Sequence, residues 1–430
     1  MSFSALGLMP ELVNTLTQIE YLKPTPIQAE VIPLVLEGKD ILASAETGTG
    51  KTAAFALPLL QMLAQRLPVQ PQTEKTNIQV LIMTPTRELA IQIDENIQQY
   101  SQGLTIASVA VYGGASIRPQ MTAIKQGVDI LVATPGRLFD IVGQHDVDLS
   151  NVSYLVIDEA DRMLDLGFVK DIEKVKRLVN RQHQTMMFSA TLFSDEIKVL
   201  AEKMLLTPAL INVATHTTAA TVSQIGYQVD QRRKAELLSE LIGKHNWQQV
   251  MVFTSRKETA DHLQRELSLD GIKSSVFHGD KSQGARNKAL EEFKAGQLRV
   301  LVATDLAARG LDIQALPRVI NFELPEEPED YVHRIGRTGR AGLSGEAISL
   351  VSPQEKGFLE AIEAVINQSL TLQTVKGYEE GAPLPARYRD VGADNKANKA
   401  VKKFSRSGAK FKSADKSKPT RQGKYSKAKK

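Results

Sequence analysis

The 430-residue chain contains no cysteine, so disulfides, thiolate metal sites and cysteine nucleophiles are excluded at the outset. Its seven histidines show no ligand-like pairing, and a structural zinc site is not expected. No apolar run approaches the ~18 residues of a membrane-spanning helix. No basic residue precedes Lys23, which argues against a secretory signal or an arginine-rich transit peptide. A cytoplasmic protein without membrane contact is the expectation. Hydrophobic residues make up 42% of the chain, enough for real cores, and the length suits two or three domains.

The net charge of +4 hides an asymmetry. Residues 392–430 carry 14 Lys and Arg against two Asp, whereas residues 1–391 carry a net charge of −8. A mildly acidic body bearing a strongly basic tail points to a polyanionic partner, nucleic acid by default. The tail is Lys, Ser, Ala and Gly with Phe404, Phe411 and Tyr425 interspersed. It holds too little apolar mass to offset chain entropy and is expected to be disordered on its own.

Short β-branched runs alternate with helical patterns. The runs at 80–85, 129–135, 153–160 and 185–191 read as buried strands, with helices such as 87–100 and 170–180 between them. The rhythm stops in the Thr-rich segment 212–222 and then restarts. Strands are expected at 248–255, 273–279, 298–305 and 318–323, with helices at 257–267 and 282–293. The fold class is therefore α/β, with two parallel-sheet domains in tandem. The boundaries read as 1–212, a linker at 213–222, a second domain at 223–366 and the tail at 367–430.

Three motifs carry chemistry. In "AETGTGKT", Ala45 stands where a strict phosphate-loop pattern has Gly, whereas Gly50, Lys51 and Thr52 match it. Gly48 and Gly50 let backbone N–H groups wrap a phosphate, and the following helix start adds partial positive charge. Lys51 supplies a full charge, and the Thr52 hydroxyl suits Mg2+. "LVIDEAD" runs an apolar strand into Asp158, a candidate for the same ion, and Glu159, a candidate base for an attacking water. "HRIGRTGR", His333–Arg340, holds three Arg spaced by three. A guanidinium fork matches phosphate oxygens, so the site of a nucleotide held by one half can be completed from the other. For Arg334, a phosphate contact and a surface patch touching nucleic acid fit equally well.

Together these motifs resemble the DEAD-box ATP-dependent RNA helicases. The resemblance rests on "KPTPIQ" (23–28), "AETGTGKT" (45–52), "PTRELA" (85–90), Gly113–Gly114, "TPGR" (134–137), "DEAD" (158–161), "SAT" (189–191), "VFTSR" (252–256), "HGDKSQGAR" (278–286), "ATDLAARGLDI" (303–313) and "HRIGRTGR". It spans residues 3–366 with order and spacing kept. It implies two RecA-like domains that close on ATP and single-stranded RNA. Gln28 would read the adenine edge, supported by Phe3, Tyr21 and Lys23. Ala45, Glu46, Thr47, Gly48, Thr49, Gly50, Lys51 and Thr52 would form the phosphate loop. Ser189, Thr191, Asp161 and His333 would couple hydrolysis to strand separation. Arg337 and Arg340 would serve as arginine fingers, and Asp312 would contact ribose. Pro85, Thr86, Arg87, Gly114, Thr134, Arg137, Arg256, Gly279 and Thr304 fall where the family holds the RNA backbone. Glu20 stands where the family usually has Gly, with little effect expected. The basic tail looks most like those of bacterial RhlE-type members.

The expected activity is RNA-dependent ATP hydrolysis with local separation of short RNA duplexes or remodelling of ribonucleoprotein. Ribosomal precursors and RNA-decay proteins are compatible partners. An ATP-gated RNA clamp and a DNA translocase share the same residues and stay open at this level.

Overall fold

A computed structural model describes residues 2–44, 49–65, 78–145, 147–190, 194–213, 222–308, 311, 313, 316–339 and 345–383. Seven short strands build the first sheet: β1 Ile41–Ser44, β2 Val80–Met83, β3 Ser108–Val111, β4 Ile130–Ala133, β5 Tyr154–Ile157, β6 Gln184–Ser189 and β7 Ala209–Asn212. All pair in parallel, in the order β3-β4-β2-β5-β6-β1-β7. The interior strands are apolar throughout because both faces are covered by helices. Along β2, Val80 and Ile82 join one core, whereas Leu81 and Met83 join the core on the opposite face. That alternation is the two-residue period of a strand sandwiched between helical layers.

The second sheet repeats the plan. Its strands are β8 Val222–Gln228, β9 Val250–Thr254, β10 Ser274–Phe277, β11 Val300–Thr304, β12 Arg318–Asn321, β13 Gly345–Val351 and β14 Leu372–Thr374. Their order, β10-β11-β9-β12-β13-β8-β14, is that of the first sheet shifted by one whole copy. The tandem arrangement read from the strand–helix rhythm is thus a repeat in topology. Again the cores alternate along one strand, with Val250 and Val252 on one face and Met251 and Phe253 on the other.

The domain boundary drawn at residue 366 is corrected. Past the helix Lys356–Ile366, β14 pairs in parallel with β8, completing the seven-strand set. Tyr378 then buries its ring in the core beside Val229 and Leu237, under the Arg233 guanidinium at 4.5 Å. Its hydroxyl donates to Glu240. A three-residue strand and one aromatic anchor leave no helical or alternating period, which is why the sequence pattern fades there. At the other boundary, β8 already starts at Val222, and the rest of the linker after Val213 lies outside the described residues. The tail from 384 onward does too.

Two smaller expectations also shift. The helix expected over 170–180 spans only Val169–Val175 and is followed by a turn. Glu20 is not neutral: its backbone takes φ 60°, the left-handed region that favours Gly. A side chain there costs on the order of 1 kcal/mol. Among the described residues, no helix is long and apolar enough to cross a membrane.

Candidate nucleotide and RNA site

The chemistry gathers where the strands end. β1 delivers the chain to the phosphate loop, and the helix Lys51–Gln65 starts directly after it. Residues 45–48 lie outside the described residues; Thr49, Gly50, Lys51 and Thr52 are in place. Gly50 has φ 95°, and a Cβ there would strike the Gln28 amide. Only glycine allows that approach.

Gln28 is fully buried and ties three pieces together. Its Oε1 accepts from the Thr25 N–H at 3.0 Å, closing a capping box on the helix Pro26–Leu36. Its Nε2 donates to the Tyr21 hydroxyl and to the Gly50 carbonyl, the latter at 2.9 Å. The Tyr21 ring meets Phe3 edge-on at 5.5 Å. Phe3, Tyr21, Gln28 and Gly50 therefore form one knot, whereas Lys23 is exposed and stands outside it.

β5 ends at Ile157 and hands the chain to Asp158 and Glu159. The Asp158 carboxylate is buried 3.8 Å from the Lys51 ammonium. It also accepts from the Glu159 N–H at 3.0 Å. Burial pushes the Asp158 carboxyl up to about 6, against the pull of Lys51 and with a further push from Glu159. A buried carboxylate whose ionisation burial opposes is a hard oxygen donor that a divalent cation would stabilise. Glu159 sits at φ 52°, ψ 53°, a strained backbone for this residue, and its buried Oε2 has no hydrogen-bond partner among the described residues.

Asp161 accepts from the Ala190 N–H at 3.0 Å, which fixes the start of the "SAT" turn after the buried Ser189. Ala190 in turn accepts from the Ser44 hydroxyl at 3.1 Å. One small gap is lined by Lys51, Glu159, Asp161, Arg162 and Ala190 from the first domain, and by His333 and Arg337 from the second. Arg337 is buried and donates to the Leu311 carbonyl at 2.6 Å. Arg334 resolves the other way. It is 1% exposed, pairs with both Asp305 oxygens at 2.6 Å, and donates to Asn321 and the Glu323 carbonyl. It is neither a surface patch nor a phosphate ligand but an internal brace of the second domain. Thr191, Asp312 and Arg340 lie outside the described residues.

A second cleft of about 470 Å³ runs between the domains. Pro85, Thr86, Arg87, Thr134 and Arg137 line it from the first domain, and Gly279 from the second. Gly114, Arg256 and Thr304 are not in its lining. Gly114, at φ 76°, abuts the Arg87 guanidinium, so a side chain there would displace that cation. Thr304 is buried at the end of β11, and Arg256 is exposed at the start of the helix Lys257–Leu269. Arg137 is mostly committed to protein, donating to Gln120 Oε1 at 2.8 Å and to the Ala115 carbonyl at 2.9 Å. Gln120 also brackets Tyr112, through its N–H at 3.1 Å and its carbonyl at 3.2 Å, so the pair frames the Gly113–Gly114 loop. Across the cleft, Arg286 meets Glu88 at 2.8 Å, both side chains nearly buried.

Residues 25–200 match the family described as DEAD/DEAH box helicase, and residues 233–342 match the helicase conserved C-terminal domain. The chain belongs to the DEAD-box helicase family. It is 42% identical over 362 residues to the ATP-dependent RNA helicase CshA of Listeria monocytogenes, covering 84% of this chain and 68% of that one. Among solved structures, S. cerevisiae Dbp5 bound to RNA and ADP BeF3 superposes with a TM-score of 0.75 at 30% identity, over 93% of this chain and 99% of Dbp5. The DEAD-box helicase Mss116 bound to ssRNA and UDP-BeF gives 0.77 at 26% identity, over 89% and 80%. The two sheets are therefore RecA-like domains in tandem. The motifs alone gave no sign of the roles of Glu88 and Gln120 or of Arg334 as a brace. Glu88 and Arg286 do sit inside quoted motifs, and only tertiary contact reveals their pairing.

Proposed function

We propose that this chain is an ATP-dependent RNA helicase that grips one ATP in the first domain and completes the site with Arg337 of the second. One observation carries the reading: Lys51, Glu159 and Asp161 share a single gap with His333 and Arg337. Hydrolysis that needs both domains makes nucleotide state report on closure, and closure forms the cleft that holds the polymer.

In this mechanism Lys51 and the Gly50 loop bind the phosphates, and Gln28 holds the loop while presenting the adenine pocket with Phe3 and Tyr21. Mg2+ fits the site. Asp158 and Thr52 are the residues that would hold it, and no group of three or more carboxylate or imidazole ligands exists among the described residues to cage it alone. Bound there, it would neutralise charge between the β- and γ-phosphates. Glu159 Oε2 orients a water and takes its proton as the water oxygen bonds to the γ-phosphorus and the bond to the β-phosphate oxygen breaks. Arg337, joined by Arg340, stabilises the charge that develops. Asp312 contacts ribose. The Asp161–Ala190 bond, with Ser189, Thr191 and His333, passes the change in the gap to the domain interface.

The cleft is lined by Thr86 and Thr134, by Arg87, Arg137 and Arg286, and by Glu88 and Asp140, with Glu88 paired to Arg286. That composition supports a site tracking the RNA backbone. Pro85, Thr86, Arg87, Thr134 and Gly279 contact the strand, Gly114 and Arg137 shape the loop beside it, and Arg256 and Thr304 act at its margin. The basic tail supports an RhlE-like subtype and adds non-specific RNA affinity. Ribosomal precursors and RNA-decay proteins in the cytoplasm are partners compatible with this reading.

A strand-displacement assay on a short RNA duplex with excess ATP tests the reading. The wild-type chain releases one strand, and Glu159→Gln holds RNA with ATP bound but turns over little. Displacement at the wild-type rate by Glu159→Gln would remove Glu159 as the base.

A further inference from the structure

Away from the cleft, one flank of the first domain gathers charge of one sign. Residues 169–183 hold five Lys and Arg against Asp171 and Glu173, on a body that is otherwise acidic. Ile172, Val175 and Val179 are buried in the first domain's core. They fix the inner side of the helix Val169–Val175 and of the turn after it, where the Val179 N–H donates to the Val175 carbonyl at 3.2 Å. Lys170, Lys174 and Arg177 follow the spacing i, i+4, i+7, so they share the opposite, exposed side. Arg181 is exposed just beyond.

A polar outer side is ordinary for a surface helix and by itself means little. What sets this one apart is which charges are already taken. Asp171 holds Lys174 at 3.2 Å, and Glu173 holds Lys203 at 2.6 Å. Lys176 caps the helix Asp195–Met204 through the Lys203 and Met204 carbonyls. Lys170, Arg177 and Arg181 are left without a carboxylate partner among the described residues. Uncompensated cations on an acidic body attract a polyanion locally. The row also starts at the cleft, because Phe168, the residue before the helix, lines it. Arg177 lies about 14 Å further along at 1.5 Å per residue.

We propose that Lys170, Arg177 and Arg181, with Lys174 beside them, form a second RNA surface that takes the phosphates of the strand as it continues past the cleft. This rests on the assignment of the cleft to RNA and extends it onto the flank of the first domain. Ammonium and guanidinium groups position a phosphate backbone without reading bases, in keeping with a cleft that tracks the backbone. All four cations belong to one domain, so their grip does not wait for the domains to close. The surface holds RNA equally in the ATP and ADP states and keeps the chain on a long strand while the cleft opens.

The test is fluorescence-anisotropy binding of the full chain to two single-stranded RNAs across a salt series, with a non-hydrolysable ATP analogue and with ADP. One RNA lies near the lower end of the ~4–16 nucleotides that single-strand sites occupy and fills only the cleft, and the other exceeds the upper end. Three phosphate contacts to a single strand are worth about 2 in the slope of log Kd against log salt. The triple variant Lys170→Ala, Arg177→Ala, Arg181→Ala is expected to lower the slope for the long RNA by about that much. Its Kd for that RNA should rise at least about tenfold at about 0.1 M salt, by the same factor in both nucleotide states. Binding of the short RNA should stay as in wild type. The charge-keeping variant Lys170→Arg, Arg177→Lys, Arg181→Lys should keep wild-type affinity and slope. Wild-type binding of the long RNA by the alanine variant overturns the proposal and leaves this face to an acidic protein partner. An equal loss on both RNAs, or a loss confined to the ATP analogue, overturns it too. If Arg87→Ala binds the short RNA as tightly as wild type, the cleft reading itself fails, and the flank loses the strand it continues. Thermal melts confirm that each variant folds, which the exposure of all three side chains favours.

Discussion

Replacing Asp158 by Asn makes the tension between stability and chemistry measurable. Asp158 is 2% exposed, and burial lifts its carboxyl to about 6 from the usual 3.8. Because the folded value is the higher one, the native state holds the proton more tightly than the unfolded chain does. Ionisation above pH 6 therefore costs folding free energy, about 3 kcal/mol at pH 7.5. Asn keeps an oxygen to accept the Glu159 N–H and carries no charge. With some loss for the Lys51 contact at 3.8 Å, the variant should gain about 1–3 kcal/mol in nucleotide-free protein with EDTA. As pH falls from 7.5 to 4, wild-type Asp158 takes up its proton, and most of the advantage should disappear. Urea unfolding of both chains at four pH values reads this directly. ATP hydrolysis should be lost in the same variant, since the residue proposed to hold Mg2+ is gone. If Asp158→Asn is no more stable than wild type at pH 7.5, or keeps its advantage unchanged at pH 4, the argument that this carboxylate is held at a cost is refuted.

Further predictions come from the interface and the C-terminal part. Arg286→Ala breaks the 2.8 Å pair with Glu88 and should raise the RNA concentration for half-maximal ATPase about tenfold, roughly 1.4 kcal/mol. The charge-swapped double variant, Glu88→Arg with Arg286→Glu, should recover part of that loss, and no recovery would deny the pair a role in closure. Tyr378→Ala should destabilise the second domain by about 3 kcal/mol, and a chain ending at Ile366 should melt well below one ending at Pro383, by calorimetry. Removing residues 384–430 should weaken RNA binding and flatten its salt dependence while leaving ATP binding intact; an unchanged slope would leave the tail without a role in RNA affinity.

The sequence reading succeeded where chemistry and periodicity are local. The apolar runs at Val80–Met83 and Val300–Thr304 mark parallel strands because covered strands must be apolar on both faces. Gly50, Lys51, Asp158 and Glu159 stand out in the sequence because phosphate chemistry calls for those residue types beside a strand end, and their roles belong to the proposal above. It failed where tertiary contact decides. β14 is three residues long and defined by its pairing with β8, and no period announces it. Arg334 reads equally as a phosphate contact or as a surface patch until Asp305, 29 positions earlier in the chain, is seen beside it. Arg137 matches a motif for RNA contact, yet Gln120 and Ala115 occupy most of its fork.

The central claim is that triphosphate bound between the domains governs the grip on RNA. Coupling between two ligands is reciprocal, so it can be read from either side. The most direct measurement is the Kd of one single-stranded RNA with ADP–beryllium fluoride and with ADP at the same ionic strength. The account predicts binding at least about tenfold tighter with the ATP mimic, a coupling of roughly 1.4 kcal/mol, and a smaller ratio in Arg337→Ala. Equal affinity in the two nucleotide states would contradict it.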